Sequence, residues 1–131
     1  MGVGQMTKRV LICDDSILMR KLVADTLLAD GWTIVGEANN GREAVEMYQE
    51  LRPDAVTMDI VMPHYDGLFA LPRILQQDPE AKVVVVSALA QTKMISEAIR
   101  AGAQDFIVKP FMPEQLQQTL SRCVEAAATA V

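Results

Sequence analysis

Five short runs of apolar, mostly β-branched residues punctuate the chain. Between them, apolar positions recur with the 3.6-residue period of an amphipathic helix. Val10-Leu11-Ile12-Cys13 reads as a first strand and Trp32-Thr33-Ile34-Val35-Gly36 as a second. Asp54-Ala55-Val56-Thr57-Met58 gives a third, Lys82-Val83-Val84-Val85-Val86 a fourth and Phe106-Ile107-Val108 a fifth. The first, third and fourth are apolar without alternation, as expected of strands covered on both faces. The intervening pattern predicts helices over Ile17–Ala29, Arg42–Leu51, Leu68–Gln77 and Thr92–Ala101, and a last one from Pro113. Leu18, Leu22 and Thr26-Leu27 form the expected buried stripe of the first helix. Ala44, Val45, Tyr48 and Leu51 serve the second, and Leu116, Leu120 and Val124 the fifth. Gly31 and Gly102 close the first and fourth helices, Pro53 follows the second, and Pro113 is a favoured first-turn residue. Pro72 falls beyond the first turn of the third helix, where proline costs about 3 kcal/mol, so that helix is expected to start late or to kink.

Strand–helix alternation with short connections implies parallel pairing through right-handed crossovers. A chain of 131 residues, half of them apolar, has room for one such sheet and a substantial core. The expectation is a single (βα)5 doubly wound α/β domain over residues 1–131, its core spanning about 8–124, with Ala126-Ala127-Ala128 prone to fray. No apolar run reaches the length of a membrane span, and a net charge of −5 argues against a general nucleic-acid binder. Cys13 and Cys123 sit in apolar segments without a nearby Cys or His, which disfavours a disulfide framework or a zinc site. Met1 to Met6 carries no basic-then-apolar signal pattern and no Ser or Thr at position 6 for myristoylation, so the expected location is the cytoplasm.

In open α/β sheets, sites form beyond the carboxyl ends of the strands. The first strand ends in Asp14-Asp15, the third in Asp59, the fourth in Ser87 and the fifth in Lys109-Pro110. Four strands thus deliver polar or charged groups to one rim. Three carboxylates gathered there repel unless cations offset them. Lys109 supplies one positive charge, and a hard divalent cation, Mg²⁺ or Mn²⁺, would supply the rest through oxygen ligands. A metal, a lysine and a hydroxyl together suit a phosphoryl group, with Ser87 donating a hydrogen bond. A carboxylate can itself be the nucleophile. Asp59 stands alone at its strand end and takes that role, whereas the Asp14-Asp15 pair suits metal binding.

Asp14-Asp15, Asp59 with Met62-Pro63 and Asp66-Gly67, Ser87-Ala88 and Lys109-Pro110-Phe111, in this order and at these strand ends, resemble the response-regulator receiver family. The likeness runs from about Lys8 to Val124 and is strongest to stand-alone, CheY-type chemotaxis receivers, with Gly36-Glu37-Ala38 and Asn40-Gly41-Arg42-Glu43-Ala44 adding to it. It implies the flavodoxin-like strand order 2-1-3-4-5. It further implies that Asp59 accepts a phosphoryl group from the phosphohistidine of a sensor histidine kinase, CheA-like for a chemotaxis receiver. Asp15 and Asp59 would bind Mg²⁺ directly with the backbone carbonyl of Val61, Asp14 would act mainly through water, and Ser87 and Lys109 would hold the phosphoryl oxygens. The Lys109–Pro110 bond would be cis. Ser87 and Phe106 would form the switch, remodelling the face of the fourth helix, fifth strand and fifth helix for a target protein such as the flagellar motor switch. Such a protein is a monomeric signalling phospho-acceptor that catalyses only its own phosphotransfer and slow autodephosphorylation, without nucleic-acid or membrane partners.

Plainer roles stand beside these. Asp14 and Asp15 could cap the first helix, Asp66 the third. Ser87 could bond backbone, His64 could be merely solvated, and Phe106 and Cys13 could be core. Two departures stand out: Val61 and Leu89, two residues after Asp59 and Ser87, are apolar, and Phe106 replaces the more usual Tyr. An aspartate-nucleophile phosphatase is disfavoured because Val61 stands where such enzymes carry a second Asp. A flavin carrier is disfavoured because Asp14-Asp15-Ser16 would repel a flavin phosphate. A shuttle in another phosphorelay, or a receiver acting by binding without phosphorylation, remains the alternative.

Overall fold

A computed structural model describes residues 8–89 and 91–129. The elements alternate as β1 (Arg9–Cys13), α1 (Ile17–Leu28), β2 (Thr33–Ala38), α2 (Gly41–Leu51), β3 (Ala55–Met58), α3 (Gly67–Gln77), β4 (Val83–Ser87), α4 (Thr92–Arg100), β5 (Asp105–Val108) and α5 (Pro113–Thr129). All pairings are parallel, in the order β2-β1-β3-β4-β5, which matches the expected doubly wound fold. The period-2 alternation of strand side chains divides the apolar core between the two faces. Val10, Ile12, Ala55, Val84 and Val86 meet Val23, Leu27, Leu116, Leu120 and Val124 of α1 and α5. Leu11, Cys13, Val56, Met58, Val83 and Val85 meet Ala44, Tyr48, Leu71, Ile74 and Ala98 of α2, α3 and α4.

Local chemistry sets the boundaries. Asn40 caps α2 by accepting from the Glu43 amide (2.9 Å), while the Glu43 carboxylate accepts from the Asn39 amide (2.9 Å), a reciprocal arrangement close to a capping box. Gly31 and Gly102, both at positive φ, follow α1 and α4. At the far end of α2 the Arg9 guanidinium donates to the carbonyls of Leu51 and Arg52 (2.9 and 2.8 Å), satisfying acceptors that the helix leaves open.

Two expectations are corrected, and for Pro72 one of two alternatives is excluded. The buried arc of α1 is Val23, Ala24, Thr26 and Leu27, whereas Leu18 and Leu22 are exposed at 79% and 48%. Strand β2 starts after Trp32 and runs to Ala38, past a register irregularity opposite Val10 and Leu11. Pro72 does not delay α3, which begins at Gly67 under an Asp66 cap and carries the proline in its interior. Toward the other terminus, α5 runs from Pro113 to Thr129. Residues 1–7, which include Met1 to Met6, lie outside the described residues.

Candidate functional site

The rim at the carboxyl ends of β1, β3, β4 and β5 carries the residues singled out from sequence. One carboxylate oxygen each from Asp14, Asp15 and Asp59 lies within 4.8 Å of the others, with Asp14 and Asp59 buried and Asp15 exposed. Lys109, following β5, reaches across the sheet. Its Nζ donates to Asp14 Oδ2 at 2.7 Å and to Asp59 Oδ2 at 3.0 Å. Burial alone would lower the Lys109 pKa, but the hydrogen bonds to Asp14 and Asp59 and their negative charges outweigh it, so the ammonium is held above the ordinary lysine range. Its charge is therefore a fixed part of the site. The Lys109–Pro110 peptide bond is cis.

Asp59 is held by its chain neighbours. The Val61 amide donates to Asp59 Oδ1 at 3.2 Å. Gly67, the first residue of α3, donates its amide to the Ile60 carbonyl at 2.9 Å, and a Cβ there would run into the Asp59 carbonyl oxygen. Only glycine lets α3 start this close to the main chain of Asp59 and Ile60. Asp66 caps α3 by accepting from the Phe69 amide at 2.8 Å, the plainer role expected of it.

Asp14 is constrained at every polar group. Its amide donates to the Ala38 carbonyl (3.0 Å), its Oδ1 accepts from the Ser16 amide (2.9 Å), its Oδ2 faces Lys109, and its carbonyl accepts from Arg20 Nη1 (2.7 Å). The cap of α1 is Ser16, whose hydroxyl accepts from the Met19 amide at 3.2 Å, so neither aspartate is spent on that task. Arg20 and its partner Glu37 (Nε to Oε1, 3.0 Å) were not anticipated from sequence. They lie 17 positions apart in different elements, and only the pairing of β1 with β2 joins them.

Ser87 ends β4 fully buried, and its hydroxyl accepts from the Leu89 amide at 3.2 Å, so it holds backbone here. The Lys109 amide donates to the Ser87 carbonyl at 2.9 Å, keeping the two residues together on the rim. Phe106 is half-buried opposite Val85 and packs on the α2–α4 side of the sheet. His64, exposed at φ +67°, lines a cleft with Asp15, Asn39, Asn40 and Pro63 beside the acidic cluster. Cys13 is buried and its thiol is pushed strongly up by that burial and by the Asp14 charge, so it stays protonated. Among the described residues no helix is long and apolar enough to cross a membrane.

The donor set fits a hard divalent cation. It offers three carboxylates and no sulfur or imidazole, and Asp15 projects into solvent where water could complete an octahedron. A small cation and a lysine beside a carboxylate on a strand-end rim would offset the charge of phosphoryl oxygens while the carboxylate accepts the group.

Comparison with known proteins agrees with this chemistry. Residues 10–121 match the response regulator receiver domain. The chemotaxis protein CheY of Thermotoga maritima is 52% identical over 89% of this chain and 98% of its own length, and that of Bacillus subtilis 46% over the same shares. Among solved structures, the CheX–CheY–BeF3–Mg²⁺ complex from Borrelia burgdorferi contains a chain that superposes with a TM-score of 0.86 at 34% identity, covering 89% of each chain. The response regulator domain of Thermotoga maritima CheB superposes at 0.81 with 37% identity, covering 95% of this chain and 98% of that one. The chain therefore belongs to the response regulator receiver family, whose members are the phospho-accepting components of two-component signalling.

Proposed function

We propose that Asp59 is the phospho-acceptor, that Asp14, Asp15, Asp59 and the backbone carbonyl of Val61 hold Mg²⁺, or Mn²⁺ in its place, and that Ser87 and Lys109 bind the phosphoryl oxygens. The observation that carries this reading is the Lys109 ammonium between Asp14 and Asp59 (2.7 and 3.0 Å) beside the exposed Asp15. An Asp59 oxygen attacks phosphorus, the bond from phosphorus to the donor's imidazole nitrogen breaks, and the imidazole leaves and takes up a proton. Lys109 offsets the charge that develops on the phosphoryl oxygens, and the divalent cation adds to that offset when bound. Ser87 then exchanges its backbone partner for the phosphoryl group, and Phe106 turns inward, which shifts the α4–β5–α5 face between two existing states.

The donor is the phosphohistidine of a CheA-like sensor kinase, and the modified face binds a target protein in chemotaxis, the flagellar motor switch being the favoured one. The CheY relatives and the Mg²⁺-containing CheX–CheY structure support this assignment. Residues 8–124 form the working unit, monomeric and cytoplasmic. The first experiment is intact mass after incubation with acetyl phosphate and Mg²⁺. One added phosphoryl group, absent in Asp59→Ala and in EDTA, is expected. No gain in a folded wild-type protein would leave a receiver that signals by binding alone.

A further inference from the structure

Within the cation site proposed above, on which this inference rests, the structure assigns Arg20 a positioning role: its guanidinium fixes the main chain that carries Asp14 and Asp15. Arg20 lies in the first turn of α1, with its side chain only 15% exposed. It donates Nη1 to the Asp14 carbonyl at 2.7 Å and Nε to Glu37 Oε1 at 3.0 Å. The fork thus spans the β1–α1 connection and the end of β2. A planar guanidinium with two donors engaged fixes orientation as well as distance, which an ammonium does not.

Asp15 is exposed and follows directly on this carbonyl, so the peptide that Arg20 grips is the one that aims Asp15 at Asp59. The Asp14 side chain is held separately by Ser16 and Lys109. Arg20 therefore acts on the placement of Asp15 more than on that of Asp14. Glu37 balances the guanidinium charge, so the pair contributes geometry to the site with little net field.

Charge and geometry give opposite signs. If Arg20 acted only as a nearby cation, its removal would tighten binding of a divalent cation to an acidic cluster. If it positions Asp15, its removal weakens binding, by about tenfold, the low end for partners that orient metal ligands. The test is Mg²⁺ titration calorimetry on wild type, Arg20→Ala and Arg20→Lys, each checked for native circular dichroism. We expect Arg20→Ala to bind about tenfold more weakly and Arg20→Lys to fall between it and wild type, although its charge is retained. Arg20→Lys carries the test alone if Arg20→Ala does not fold. Unchanged or tighter binding in a folded variant overturns the positioning role while leaving the cation site standing. A wild type that binds no Mg²⁺ overturns the cation site itself, and the positioning role with it.

Discussion

On the proposal that Asp59 carries the phosphoryl group, its lifetime is expected to depend on Val61, whose amide donates to Asp59 Oδ1, and on Leu89, whose amide donates to the Ser87 hydroxyl. Val61 is 55% exposed, and Leu89 packs partly against the core on the α2–α4 side. Neither side chain has an atom that accepts a hydrogen bond from an attacking water, so neither can position one, and slow hydrolysis is the expectation. Replacing them with groups that can hold water, Val61→Asn with Leu89→Glu, is expected to shorten the phosphorylated lifetime by about tenfold, which is ~1.4 kcal/mol off the barrier. Decay of the phosphorylated mass after removal of the phosphodonor measures this. An unchanged decay rate in a double variant that still phosphorylates would sink the idea. At this scale the sequence was most informative: Asp14, Asp15, Asp59 and Lys109 each stand at a strand end, and strand ends are readable from runs of valine and isoleucine. Arg20 was not readable, because nothing in its local pattern distinguishes a gripping arginine from a solvated one.

Helices were read well where one face is clearly polar and poorly where it is not. α5 buries Leu116, Leu120 and Val124 as expected, and α2 buries Ala44 and Tyr48 of its expected face while Val45 and Leu51 are half-buried. α1 is apolar nearly all round, with Ile17, Leu18, Met19, Leu22, Val23, Leu27 and Leu28. Leu18 and Leu22 are a step of four apart, as are Val23 and Leu27, so periodicity alone could not choose between the two arcs. Tertiary packing chose the second, which faces β1 and α5. The α3 proline is a separate matter. Pro72 lies midway along Gly67–Gln77 and leaves the Leu68 carbonyl without its helical donor. Replacing it with alanine restores that bond but loosens the unfolded chain, which offsets about 0.4–1 kcal/mol of the gain. The net expectation for Pro72→Ala is a rise of about 2 kcal/mol in unfolding free energy, read as a higher urea midpoint at unchanged slope. A lower midpoint would mean that the ring's packing outweighs the missing hydrogen bond.

Across the whole molecule, stability and function meet at the rim. Nearly every buried group elsewhere is apolar or paired, yet three carboxylates share a small space with one lysine. Two of them are committed to Lys109. Asp15 has no hydrogen bond or ion pair among the described residues, so in the absence of a cation it adds repulsion without compensation. Removing its charge is therefore expected to stabilise the metal-free fold while abolishing the response to metal. In EDTA, Asp15→Asn should melt above wild type. In Mg²⁺ at about 100 times its dissociation constant, wild type should gain ~2.7 kcal/mol by mass action, and the variant little. The crossing of the two melting temperatures as Mg²⁺ is added is the signature sought. If Asp15→Asn melts below wild type in EDTA, the carboxylate has a structural partner and the site is not strained. If it gains as much from Mg²⁺ as wild type does, Asp14 and Asp59 hold the cation without it. A crossing would mean that the fold tolerates an uncompensated charge at this one position because the bound cation later repays it.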